Sequence, residues 1–225
     1  MEVFLMFYRF KDFKQGDAVV VGADTSMGAG DWCVAQFLVR PLKVIARPTV
    51  PQVYRTKSAA PQMTDDLVEE LESIYDVTGI KPIVAYERNN GGAFEMERLI
   101  QFNRNHKFEV FKQPTFGRED APEAVKYGID TTSSTRPSML SSLKGLIDKR
   151  EIDLFDKVTI GELFSFINVR TSSTWKAQAE PHAHDDHVMS LAITWMVHEL
   201  ADRPVAPVET EMLMQAQALA LAGDW

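Results

Sequence analysis

A single cysteine among 225 residues rules out an intrachain disulfide and makes a cysteine-built zinc site untenable. That usage fits a reducing compartment. Long apolar runs are missing too: no stretch approaches the roughly 18 residues a membrane helix needs. The opening MEVFLMFYRFKDFKQG lacks the basic start, longer apolar core and small-residue cleavage site of a secretory signal. Its abrupt, aromatic-rich character suits an interdomain linker or an edge strand. Positive charge is scarce, with 24 Lys and Arg against 32 Asp and Glu, a formal net charge of −8. Nonspecific duplex binding draws most of its strength from neutralised phosphates, so a generally basic, DNA-coating surface is excluded. The average leaves room for a local groove. Repeats and low-complexity tracts are absent.

The rest of the composition, 45% hydrophobic and 25% charged, is that of a globular chain able to bury a substantial core. DAVVVGAD (17–24) reads as a strand buried on both faces. After a Gly-rich turn, WCVAQFLV (32–39) reads as its antiparallel partner. Pro48 and Pro51 interrupt the next strand-like stretch and suggest an edge or an irregular crossing. Thr64, Asp65 and Asp66 are expected to open a helix that closes at Gly79, with Leu67, Leu71, Ile74 and Tyr75 at helical spacing. PIVAYE (82–87) is a short strand ending in an acid, followed by a helix over AFEMERLIQF and a strand over 106–114. Residues 115–135 read as a long loop, and a helix is expected to begin after Pro137. DKVTIGELFSFI leads from a short strand or turn into a helical segment, and 171–184 reads as loop. From Asp185, DDHVMSLAITWMVHEL predicts an amphipathic helix burying Val188, Leu191, Ala192 and Trp195. Together these predict a mixed sheet with helices on both sides. The division expected is a linker remnant or N-terminal extension (1–16), one domain (17–200), and a helical tail (201–225).

The acids carry the chemistry. Asp24 ends a core strand and Glu87 ends another; a half-buried carboxylate is costly unless paired, hydrogen-bonded or metal-bound. If the two strands are neighbours, both side chains emerge at one sheet end. Asp185 and Asp186 start a helix, where backbone N–H groups favour negative charge. Oxygen ligands with no thiol point to magnesium or manganese. Such a set, with two ions, suits phosphodiester hydrolysis. The plainer readings are a turn cap for Asp24, an ion pair with Arg88 for Glu87, and an ordinary helix cap for the Asp pair. His184, just before the helix, can bind metal or act at the phosphate, and His187 is expected to face solvent. His182 is a loop-borne substrate contact at best; His106 and His198 have no chemical context. GADTSMGAGD is neither a P-loop nor GxGxxG. Cys33 reads as core. Arg136 and Thr135, in TTSSTRP, can contact phosphate oxygens or simply cap and flank a helix. Arg88, Arg118, Lys126 and Lys144 are further DNA-contact candidates, scattered in sequence.

In their order, VVVGADTSMGAGD, PIVAYERNNGG, GIDTTSSTRPSMLSSLKGLI, GELFSF and HAHDDHVMSLAITW resemble the C-terminal nuclease domain of the large terminase subunit of tailed bacteriophages, over roughly residues 17–198. The HDD helix and the TRP segment are the specific parts. The resemblance implies a ribonuclease-H-like α/β fold and a divalent-metal endonuclease that cuts concatemeric viral DNA during genome packaging. It implies Asp24, Glu87, Asp185 and Asp186 as metal-binding acids, His184 as the histidine before the pair, and Arg136 as an arginine approaching DNA. It also implies double-stranded DNA, an ATPase motor, a portal and a small terminase subunit as partners, and the infected bacterial cytoplasm as the place of action. No Walker A lysine motif is present, so the motor is expected on a separate chain or outside this isolated domain. The alternatives are another ribonuclease-H-like enzyme, such as a Holliday-junction resolvase, and a noncatalytic assembly module.

Overall fold

The β-branched segments pair into one mixed, seven-stranded sheet. The computed structural model describes residues 6–26, 31–41, 46–113, 126–170, 175–179 and 184–202, with 166–170 and 175–179 as backbone only. Phe7–Arg9 (β1) forms an edge strand antiparallel to Thr49–Thr56 (β4), which pairs with Cys33–Arg40 (β3), itself antiparallel to Ala18–Asp24 (β2). Ile83–Tyr86 (β5) joins the other side of β2 in parallel, followed by Glu109–Val110 (β6). The prolines resolve as an irregular crossing, because the β3–β4 register shifts between Phe37 and Val39, opposite Pro51. A missing N–H costs least at such a bulge.

Helices cover both faces, as expected. Ala60–Thr78 (α1) and Gly92–Phe102 (α2) bury Met63, Leu67, Leu71, Met96 and Leu99 against Val19, Val21 and Val84. Thr135–Asp148 (α3) and Asp186–Leu200 (α5) bury Leu143, Leu146, Leu191 and Ile193 against Val20, Val34 and Ala85 on the other face. Lys157–Ser165 (α4) packs beside the start of α5.

Several boundaries differ from the sequence expectations. α1 begins at Ala60 rather than Thr64, with Pro61 in its first turn. Thr64 lies inside the helix, donating to Ala60 O at 3.2 Å and to buried Glu95 at 2.5 Å. The strand expected over 106–114 splits: β6 pairs with β5, and Lys112–Gln113 (β7) turns to meet Lys126–Tyr127 (β8), within the expected long loop. α3 starts at Thr135, before Pro137, because the Thr132 hydroxyl collects the Ser134 and Thr135 N–H groups. Asp153–Leu154 (β9) pairs with β4. Part of the expected loop 171–184 is strand: Phe166–Arg170 (β10) and Trp175–Ala179 (β11) form an antiparallel hairpin. No helix among the described residues is long and apolar enough to cross a membrane. The tail from 203, Arg118, His182 and most of the Gly-rich turn lie outside the described residues.

Candidate functional site

Strand alternation sends side chains to opposite faces. Val19, Val21 and Ala23 of β2 face α1 and α2, so Val20, Gly22 and Asp24 face α3 and α5. On β5, Val84 and Tyr86 face α1 and α2, which puts Ala85 and then Glu87 on the α5 side. The parallel register pairs Gly22 with Ala85, and the Glu87 N–H donates to Ala23 O at 2.8 Å. Asp24 and Glu87 are therefore neighbours at one sheet end, on one face. The third contribution depends on how closely α5 crosses β2. A Cβ on Gly22 would stand 2.3 Å from Thr194 N and 2.5 Å from its hydroxyl. The bare glycine lets the helix settle, and the Ser190 hydroxyl donates to Gly22 O at 2.8 Å. Ser190 is one turn along from Asp186, so the start of α5 is held over the end of β2.

Each acid there has its own source of relief. Asp24 and Glu87 are 8% and 6% exposed. Burial raises the Asp24 carboxyl well above its ordinary value, helped by a hydrogen bond from carboxyl to carboxyl with Glu87 and by repulsion from Glu87, Asp186 and Asp185. Glu87 also accepts from Asn89 Nδ2 at 3.1 Å and from the Thr131 hydroxyl. Asp186 is pushed up to about 6, mainly by burial and by Glu162, Asp185 and Asp31, although it accepts from the Trp32 N–H at 3.3 Å. Asp185, at the N-cap of α5, makes no capping bond and takes Arg136 Nη2 at 2.6 Å instead. Among the described residues no three histidine, cysteine or acidic side chains form a preassembled metal cage. The donor chemistry nevertheless fits a hard divalent cation: carboxylate oxygens, partly buried, with negative charge only partly offset.

The other predicted residues divide. His184 is half-exposed, its Nδ1 3.7 Å from Asp186 Oδ2. His187 corrects the sequence expectation: it is 1% exposed, not solvent-facing, with Nδ1 2.7 Å from Glu162 Oε1. Arg88 pairs with Asp130 at 2.9 Å rather than with Glu87, and Lys126 reaches the same Asp130 at 3.1 Å. Thr135 donates to Asp130 O at 2.8 Å. Lys144 pairs with Asp148 on the exposed side of α3 at 2.5 Å. Cys33 is core, its thiol raised by burial and accepting from the Ser26 N–H at 3.2 Å. Glu162 and Asn89 were missed: Asn89 sits two residues from the Glu87 it bonds, whereas Glu162 meets the start of α5 only through tertiary contact. A cleft of about 550 Å³, lined by Ile83, His106, Glu109 and Leu200, opens at the other end of β5 from Glu87.

No family model and no curated protein sequence matches the chain. Solved structures do. The large terminase nuclease of thermophilic phage G20c, with bound cobalt, is 21% identical, superposing at a TM-score of 0.62 over 87% of this chain and 89% of that one. The chain has the fold of the large terminase nuclease domain. The nuclease domain from Thermus phage P74-26 aligns at 20% identity and a TM-score of 0.60, covering 88% of both chains. A manganese-soaked human cytomegalovirus terminase nuclease domain aligns at 8% identity and 0.57, over 85% of this chain and 86% of that one. The ribonuclease-H-like fold expected from the sequence is therefore present, and at these identities the likeness speaks for the fold.

Proposed function

We propose that the chain is a divalent-metal-dependent endonuclease acting on double-stranded DNA, as the nuclease of a phage packaging terminase. The observation that carries this reading is that Asp24 and Glu87 emerge side by side at one sheet end, with the start of α5 that bears Asp185 and Asp186 held over it, in a fold shared with terminase nucleases. Asp24, Glu87, Asp185 and Asp186 would hold the ions, two magnesium or manganese ions by our reading. Ions bound there would activate a water and offset charge on the phosphate and the leaving oxygen.

The chain's own residues supply the rest. Asn89 and Thr131 fix the Glu87 carboxylate, the Trp32 N–H fixes Asp186, and Arg136 stands beside Asp185 with a fork of donors suited to a phosphate oxygen. His184, half-exposed at the rim, can hold a proton near the reacting phosphate. Thr135, Arg88, Lys126 and Lys144 are proposed as backbone contacts beyond the site. Cutting concatemers together with a motor, a portal and a small subunit, inside an infected bacterium, completes the proposal.

The test is cleavage of linear duplex and four-way junctions with manganese by the native chain and by Asp24→Asn. Duplex cleavage that the substitution abolishes, with folding intact, is expected. Cleavage of junctions alone would favour a resolvase, and cleavage untouched by the substitution would reject the site.

A further inference from the structure

A helix leaves its first N–H groups without intrahelical acceptors, and an aspartate at the N-cap ordinarily folds back to accept from the second and third of them. Asp185 occupies that position in α5 and does not cap. The two N–H groups it would take, those of His187 and Val188, point instead to Glu162 Oε2 at 2.9 and 3.4 Å. The other oxygen, Oε1, holds His187 Nδ1 at 2.7 Å, and that imidazole is sealed in the core. The Glu162 side chain is 11% exposed, and the helix that carries it is held at its base. Asp156 caps α4 through the Thr159 N–H and hydroxyl, at 2.9 and 2.8 Å. Gln36 of β3 donates to that hydroxyl at 2.8 Å, and Arg55 of β4 pairs with Asp156 at 3.2 Å. The same Gln36 amide lies 3.5 Å from His187 O, so the base of α4 and the start of α5 are both held against the sheet.

We propose that Glu162 is a positioning residue: by capping α5 from a neighbouring helix, it releases the Asp185 carboxylate to serve the candidate metal site. This rests on the nuclease reading, and it assigns Glu162 no direct contact with ion or DNA. Without the external cap, Asp185 would turn back onto the His187 and Val188 N–H groups and leave the site one ligand short.

Reach and charge can be separated by substitution. Glu162→Gln keeps the length and an acceptor oxygen; Glu162→Asp keeps the charge and is shorter by one methylene. Manganese affinity is measured by calorimetry without DNA on native and variant chains, with hydrogen exchange at α5 as the structural readout. The expected result is affinity within about threefold of native for Glu162→Gln. Glu162→Asp should weaken affinity about tenfold, in the range for residues that orient metal ligands. In Glu162→Asp the α5 start should stay protected, because Asp185 has become its cap. The reverse order, with Asp retaining and Gln losing affinity, would mean that charge or direct ligation matters, and overturns the proposal. Equal losses, or no loss in either, overturn it as well. Native chain that binds no manganese would instead remove the nuclease reading underneath it.

Discussion

Gly22→Ala tests whether the approach of α5 to β2 builds the site. The added methyl would lie 2.3 Å from Thr194 N, 2.5 Å from its Oγ1 and 2.7 Å from its Cα. Ordinary contact needs roughly 3.5 Å or more, so α5 must move by about 1 Å, since two of the three atoms are backbone. Overpacking of this kind costs about 1–3 kcal/mol and sometimes more. The movement also stretches the bonds from the Ser190 and Thr194 hydroxyls to Gly22 O, worth about 1 kcal/mol for a typical buried bond. Replacing glycine in a strand returns about 0.5–1 kcal/mol of backbone entropy. The net expectation is a loss of about 3 kcal/mol, which lowers Tm by roughly 6–12 °C in a chain of this size. Gly145 in α3 is the control, because a Cβ there meets nothing within 4 Å. Gly145→Ala should stabilise by about 0.5–1 kcal/mol through helix propensity. Urea unfolding without metal measures both, and manganese-dependent cleavage measures whether the acids still meet. A 1 Å misplacement can cost about a hundredfold in rate, so the Gly22 variant should lose activity even where it remains folded. Loss of less than about 1 kcal/mol with full activity would refute the close-crossing account.

Arg136→Gln removes the cation on Asp185 and should tighten manganese binding several-fold while weakening DNA binding; a third-exposed pair has a modest energy, about 1 kcal/mol, so unchanged affinity for both would show that Arg136 serves neither. Asp186 is pushed up to about 6 against an ordinary value of 3.8, so its unfolded form ionises first and metal-free stability should fall as pH rises from about 4 to 6. The Tm advantage of Asp186→Asn over the native chain should therefore grow across that window and level off above it; a difference that does not vary with pH would contradict the buried, crowded setting. With a net charge of −8, the isolated chain should bind duplex weakly and with steep salt dependence; nanomolar affinity at physiological salt would reject that expectation.

How much of this was legible depends on whether the determining contact was local. β2 and β5 could be read directly, because a short β-branched run ending in an acid is a strand-level pattern, and alternation then fixes the face on which Asp24 and Glu87 emerge. The C-terminal glycine of α1 was legible for the same reason, Gly79 taking a left-handed φ of 72°. The start of α5 at Asp185 was read as well, but what packs around it was not. His187, Ser190 and Thr194 form a polar stripe at helical spacing, a pattern that reads as a solvated face. In the structure that stripe is buried against the sheet, its hydroxyls satisfied by Gly22 O and Gln36 O and its histidine by Glu162. Polarity identified the face that needed partners, and the partners came from strands more than 150 residues away. Glu162 escaped notice for the matching reason. An acid in the apolar run GELFSF signals something, but which helix it caps is decided only when α4 packs beside α5.

The same contacts explain how so acidic a site persists when no preassembled cage is found among the described residues. Asp24 and Glu87 lie side by side at one sheet end, where burial and repulsion between them raise the Asp24 carboxyl well above its ordinary value. Asp185 leans on Arg136, and Asp186 on one backbone N–H. Each arrangement holds one acid at the cost of keeping it from a common centre. On the proposed reading, a divalent cation bound there would offset the repulsion among the four and compete with Arg136 for Asp185. On that reading, loading the site would also expose a guanidinium suited to a phosphate oxygen. In a chain whose overall charge repels DNA, that coupling would confine tight contact with the backbone to the place, and the metal-loaded state, in which cleavage can follow.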